Sequence, residues 1–216
     1  MLKSFDDIEH VLYINLESRP DRNEYVIAQL SNMNIMNATR FNAIKLPNNG
    51  AIGCSMSHLK CLELAKQNEW PHVFICEDDI TFTDTNLLTQ QINTFLSKKR
   101  YWDVLILGGN NMLPYKSVDD DCIQVLHCLT TTGYIVQHHY YDILIQNIKE
   151  GIGNLIRNPE NKKEFAIDKY WIQLQMKDYW FMLIPPSVIQ REDYSDIEGR
   201  VTNFQQYMLN YNKCYK

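Results

Sequence analysis

The chain has 216 residues, with 21 Lys and Arg against 26 Asp and Glu, a formal net charge of −5. An acidic balance without basic runs excludes a dedicated nucleic-acid binder, which shows a Lys/Arg stripe. No apolar stretch approaches the roughly 18 residues of a membrane span, and the length allows one large domain that buries about 70% of its surface without a metal or disulfide staple.

The first ten residues hold three acids and no apolar run, so no signal peptide is read and a cytoplasmic setting is expected. Residues 11–16 form a short β-prone run, followed by the charged turn Arg19-Pro20-Asp21-Arg22. From Asp21, Val26, Ile27, Leu30 and Met33 fall at helical spacing. Strand, polar loop and helix in that order place the loop where open α/β sheets bind nucleotides. A second short strand at 40–43 precedes a Pro/Asn/Gly turn that ends at Gly53. Ser55 or Ser57 is expected to cap the next helix, whose stripe is Met56, Leu59, Leu62 and Ala65 and which runs to about Gln67. Residues 73–76 are a continuous apolar run of buried-strand type, and Glu77-Asp78-Asp79 follows at once.

A helix over 86–96 leads into a buried strand at 104–107, closed by Gly108-Gly109. The acids Asp119, Asp120 and Asp121 are placed in a solvated loop. Residues 129–136 read as extended, 139–149 and 165–176 as helical, and 179–184 as a last strand stopped by Pro185-Pro186. A polar tail occupies 190–200. Strands alternating with helices, with no repeat or low-complexity linker, predict a single α/β domain with a largely parallel sheet and helices on both faces. Six cysteines (Cys54, Cys61, Cys76, Cys122, Cys128, Cys214) without C-x-x-C spacing suit reduced thiols, not a disulfide framework or a zinc cage. His127, His138 and His139 are read as structural or exposed, since no carboxylate or Cys spacing supports them as metal ligands.

The acidic triplet is the most informative feature. In extended geometry Glu77 and Asp79 point the same way, and two carboxylates on one side of a strand end are a seat for a hard divalent cation such as Mn²⁺ or Mg²⁺. The plainer alternative is an acidic strand end that opens a turn.

Four segments in order resemble glycosyltransferase family 25, the lipooligosaccharide-biosynthesis and collagen-galactosyltransferase family. They are Tyr13-Ile14-Asn15-Leu16 with Arg19-Pro20-Asp21-Arg22; Gly53-Cys54-Ser55-Met56-Ser57-His58-Leu59; Glu77-Asp78-Asp79; and, more weakly, Thr131-Thr132-Gly133-Tyr134 with Ser195-Asp196-Ile197. Together they span about residues 10–200. The resemblance implies a single GT-A-type domain over 1–216, with a Rossmann-like nucleotide-sugar half (about 1–110) and an acceptor half with tail (about 111–216). It implies a metal-dependent hexosyltransferase that uses a UDP-sugar donor, acts with inversion on a saccharide or collagen-like protein acceptor, and takes Mn²⁺ or Mg²⁺.

Within that frame Asp79, with Glu77 or Asp78, is the expected metal site, offsetting charge on the departing diphosphate. Arg19 and Arg22 offer guanidinium forks to phosphate, with a surface Arg pair as the plain alternative. Tyr13, Asn15 and Leu16 are expected to line the base and ribose pocket, and Thr132 to belong to the donor site. Ser57 and His58, at a helix start whose amides favour anions, are placed near the diphosphate; a cap with a core-facing His is the alternative. Gly53 is expected to act through its backbone, at positive φ or at close approach to the ligand. The expected base is Asp168, with Asp142 as runner-up, and Tyr170 and Trp171 as an aromatic platform for a sugar face. Gln190 and Asp196 are expected to close over the donor. A non-catalytic nucleotide-sugar-binding relative is the rival reading. A phosphotransferase is disfavoured because Gly108-Gly109 lacks the remaining glycine and helix start of a dinucleotide fingerprint.

Overall fold

The computed structural model describes residues 2–214. Strand β1 (Val11–Asn15) leads to helix α1 (Pro20–Asn32), strand β2 (Thr39–Asn42), helix α2 (Gly50–Gln67), strands β3 (His72–Glu77) and β4 (Ile80–Phe82), and helix α3 (Thr85–Ser97). Strands β5 (Val104–Asn111), β6 (Tyr115–Ser117), β7 (Cys122–Val125) and β8 (Cys128–Gln137) follow, then helix α4 (Tyr141–Arg157). Three single-turn helices come next: α5 (Lys162–Phe165), α6 (Ile167–Tyr170) and α7 (Ile172–Gln175). After them come β9 (Trp180–Leu183), β10 (Val188–Gln190), β11 (Asp193–Ser195), β12 (Arg200–Thr202) and α8 (Gln205–Leu209).

Eight strands form one sheet in the order β2-β1-β3-β8-β5-β9-β7-β6. Six of the eight run one way, with β8 and β7 against them. Alternation along the central strands divides the apolar side chains between two faces. Val11, Tyr13, Phe74 and Cys76 pack under α1 and α3, with Val26, Leu30, Leu88, Ile92 and Phe95. Leu12, Ile14, Val73 and Ile75 pack under α2 and α4, with Leu59, Leu62, Ala65, Leu144 and Ile148. This double cover explains the continuous apolar run before the acids.

Several elements differ from expectation for local reasons. Helix α1 starts with Pro20 at its first turn and buries Val26 and Leu30, but Ile27 is exposed because it lies a residue off the stripe. Helix α2 begins at Gly50, capped by the Asn49 side chain, which accepts from the Ile52 amide at 3.1 Å. Ser55 and Ser57 are therefore interior residues, and each hydroxyl donates to the carbonyl four residues back, at 2.8 Å. Gly53 is helical too. A Cβ there would stand 2.4 Å from the Ile44 carbonyl oxygen, so it serves close packing on the β2–α2 loop and not a ligand. Strand β5 continues through Gly108-Gly109, where a Cβ on Gly109 would stand 2.5 Å from Cys128 Sγ.

The expected helix over 165–176 is broken at Ala166, whose ψ of 149° is extended. Trp171 is wholly buried there and donates to the Cys128 carbonyl at 3.1 Å, so it is core and not a sugar platform; Tyr170 packs edge-on against Phe165. Asp119 is held by Arg100 at 2.6 Å and Lys98 at 2.9 Å instead of lying free in solvent. The polar tail also has structure. Strand β10 pairs with β4, and β11 with β12.

A candidate active site at the acidic strand end

Strands β1 and β3 are parallel neighbours, with Ile14 in register with Glu77. Their carboxyl ends therefore share one rim, and the loop to α1 rises from it. A cleft of ≈340 Å³ opens there. Its walls come from the ends of β1 and β3, the β2–α2 loop, α2, and the tail from Gln190 to Thr202. Of the expected site residues, Leu16, Arg22, Ser57, His58, Glu77, Asp78, Asp79 and Gln190 line it, and Asp196 joins them from the tail.

Strand geometry ends at Glu77, and Asp78 and Asp79 lie in the turn to β4. The expected alternation stops with it, and Glu77 and Asp79 are committed to different partners. Arg22 lies between Asp78 and Asp79: Nη1 is 2.8 Å from Asp78 Oδ1, and Nη2 pairs with Asp79 Oδ2. Asp79 Oδ2 also accepts from Gln190 Nε2 at 2.7 Å, and its carbonyl accepts from the Arg191 amide at 2.9 Å. The other oxygen, Asp79 Oδ1, is buried with no hydrogen-bond partner. Asp78 Oδ2 accepts from Asn15 Nδ2 at 2.7 Å.

Burial pushes the Asp78 carboxyl up to about 7 against the pull of Arg22. Burial, with the charge of Glu77, also raises Asp79, while Arg22 and Gln190 oppose it. Glu77 goes the other way. Burial alone would raise it, but hydrogen bonds from His58 and Thr131 and the Arg22 charge hold it below the usual carboxylate range. Its Oε1 is 3.2 Å from His58 Nε2 and accepts from Thr131 Oγ1 at 2.5 Å. His58 Nδ1 is 2.8 Å from the Tyr134 hydroxyl.

The remaining expected residues stand outside the lining. Tyr13 points to the α1 side of the sheet, where its hydroxyl donates to Asn23 Oδ1 at 3.2 Å, so it is not part of the cleft wall. Asn15 is buried behind the acids and orients Asp78, with Arg40 Nε donating to its own oxygen at 3.0 Å. Arg19 spends its fork on Asp21, Asp193 and Asp196, fastening the tail to the α1 loop instead of waiting for phosphate. Thr132 is wholly buried beneath Gly108. Asp168 lies behind Glu77, accepts from the Thr130 amide at 3.2 Å, and is raised by burial and by the Glu77 charge. Asp142 is exposed, paired with Lys66, and not among the residues that line the cleft. Ser57 and His58 sit in later turns of α2, away from its free amides.

Sequence reading missed Asp193, which Arg19, Arg22 and Arg191 approach to 3.1, 3.2 and 2.8 Å. No local signal marks it. The partners of Glu77 are equally hard to see: Thr131 and Tyr134 lie in the weakest of the four segments, and Cys54 has no C-x-x-C neighbour to mark it.

The site is thus a set of carboxylates at a strand end, inside a cleft on the rim of a mostly parallel α/β sheet. Residues 48–153, just under half of the chain, match the model of glycosyltransferase family 25 (LPS biosynthesis protein), which supports a transferase. No curated protein sequence matches the chain. Among solved structures it is similar to a glycosyltransferase involved in glycosylation of the major capsid of PBCV-1, at 10% identity over 81% of this chain and 92% of that one, with a TM-score of 0.47. It is also similar to UDP-glucose pyrophosphorylase complexed with UDP-glucose, at 9% identity over 88% and 77%, TM-score 0.49. A Drosophila β-1,4-galactosyltransferase mutant, in complex with manganese, UDP-Gal and xylobiose, is 11% identical over 62% and 51%, TM-score 0.36.

Proposed function

We propose that this transferase moves a hexose from a UDP-sugar to a hydroxyl of a saccharide, with a collagen-like protein hydroxyl as the other acceptor class, and inverts the anomeric carbon. The observation that carries this reading is Asp79 on the cleft wall: one oxygen is fixed by Arg22 and Gln190, and the other is buried and without a partner. A divalent cation fits that donor chemistry, with Asp78 and Glu77 beside it. When bound, Mn²⁺ or Mg²⁺ supplies charge neutralisation for the departing diphosphate.

The chain's own residues account for the rest. Arg22 carries a fork suited to phosphate oxygens as well as to carboxylates. Gln190 and the Arg191 amide hold Asp79 in place, and Asn15 does the same for Asp78. Asp168, its affinity for protons raised by burial, is our candidate base. It would take the acceptor proton while the freed oxygen bonds to the anomeric carbon and the carbon–oxygen bond to the diphosphate breaks. In this reading residues 1–110 form the donor half and 111–216 the acceptor half, in a cytoplasmic setting. No described helix is long and apolar enough to cross a membrane.

The test is UDP release from UDP-glucose, UDP-galactose and UDP-N-acetylglucosamine with saccharide acceptors, with and without Mn²⁺. Metal-dependent release that fails in Asp168→Asn, while UDP binding persists, is the expected outcome. UDP binding without turnover under every condition would make the chain a non-catalytic relative.

A further inference from the structure

A second constellation stands on the other flank of Glu77. Cys54 and His58 are four residues apart on α2 and so share a helix face, and Glu77 meets that face from the end of β3. Cys54 Sγ lies 3.8 Å and His58 Nε2 3.2 Å from the same Glu77 oxygen. The three ligand atoms all fall within 4.8 Å of one another, and all three residues line the cleft. The His58 ring is wholly buried and stacked on Tyr134, whose hydroxyl engages Nδ1 and leaves Nε2 for the cluster. An imidazole with one nitrogen fixed by an outer partner is the usual support of a metal-bound histidine.

Distances favour one kind of ion. Tetrahedral zinc, bonded at about 2.0–2.2 Å to nitrogen and oxygen and about 2.3 Å to sulfur, separates N and O by about 3.4 Å and S and O by about 3.6 Å. The observed pairs, 3.2 and 3.8 Å, differ from these by a few tenths of an ångström. Thiol and imidazole suit a soft or borderline cation and not the all-oxygen shell of Mg²⁺ or Mn²⁺.

We propose that Cys54, His58 and Glu77 form a site for a thiophilic divalent cation of the Zn²⁺ class, with its fourth position open to the cleft. Binding replaces the Cys54 S–H proton by the cation and releases that proton to solvent. The His58 ring proton then sits on Nδ1, facing the Tyr134 oxygen, and Nε2 gives its lone pair to the ion. Glu77 belongs to both flanks, so Zn²⁺ held here withdraws it from the donor end. This last consequence, a brake on transfer, rests on the reading of the previous subsection; the site itself does not.

Co²⁺ added to the chelator-treated full chain is the probe. The expected result is the near-ultraviolet thiolate-to-cobalt absorption with strong four-coordinate visible bands, both displaced by one equivalent of Zn²⁺. Cys54→Ser and His58→Gln should each abolish the thiolate band or the four-coordinate bands and weaken Zn²⁺ binding by at least about tenfold, whereas Cys214→Ser, at an exposed thiol, should change neither. Absence of the thiolate band in the unmodified chain overturns the site whatever the enzyme does, and so does a band that survives Cys54→Ser. Zn²⁺ bound through Cys54 with undiminished UDP release overturns the brake alone.

Discussion

The two flanks of the acidic triplet solve one problem in different ways. Asp78 and Asp79 are buried against a guanidinium, with Arg22 as their shared counter-charge. Glu77, one residue earlier, is approached by the side chains of His58, Thr131 and Cys54. The first flank is ionic, and an ion pair can be traded for another anion such as a diphosphate. The second is a hydrogen-bonded frame anchored through Tyr134 to β8, with no guanidinium in direct contact to trade for an anion. Neighbouring carboxylates thus acquire opposite proton affinities from their surroundings, which is how one short acidic run can divide its tasks.

The largest expected effect tests the ionic flank. Arg22→Ala leaves two buried carboxylates without their counter-charge and should cost about 3–5 kcal/mol in urea unfolding; a loss below about 1 kcal/mol would break the contrast. Next, Asp79→Asn keeps an oxygen for Arg22 and Gln190 but removes the charge. Turnover should fall about 100-fold, or about 2.7 kcal/mol of barrier, while the melting temperature holds or rises because a buried acid has been relieved. Gly53→Ala probes the hydrogen-bonded flank from below, since its Cβ would meet the Ile44 carbonyl at 2.4 Å and push α2, with Cys54 and His58, off the β2–α2 loop. About 1–3 kcal/mol of stability should be lost, with transfer slowed as Glu77 loses its frame.

The last test lies at the far end of the same strand and reads pH dependence in place of a fixed loss. His72 opens β3, is buried, and has an unpartnered Nε2. Burial lowers its pKa from 6.5 to about 4, helped by His10. Between those values the unfolded chain binds more protons than the folded one. The stability contributed by neutral His72 is therefore complete above about 6.5 and is lost as pH falls toward 4. His72→Phe should flatten the fall in melting temperature over that window.

Much of this architecture is legible in residue order. Pro20 at a helix start, apolar runs at 11–16 and 73–76, and acids following the second run give β1, α1, β3 and the rim where the cleft lies. The finer placement is not legible, because it turns on single residues of offset. Starting α1 at Pro20 places Arg22 in its first turn, against the acids, and leaves Arg19 at the cap among tail carboxylates. Starting α2 at Gly50, not near Ser55, sets Cys54 and His58 on one face, a spacing hidden while the preceding glycine is read as a turn. The alternation expected across Glu77 and Asp79 fails because the strand ends between them. The tail strands are three residues each, too short to announce themselves by pattern.

One wall of the cleft is made late. Gln190 bonds Asp79 from a strand that pairs with β4, and Asp193 and Asp196 hold Arg19 across more than 170 positions of chain. During N-to-C synthesis the nascent polypeptide can lay down β1, α1 and β3 long before those contacts exist. A ribosome-bound intermediate lacking residues beyond 187 would carry the acids with an unfinished enclosure. The enclosure of the acids is therefore completed only once residues 190–196 have been made, and arrest short of that point would leave Asp79 and Arg19 without those partners.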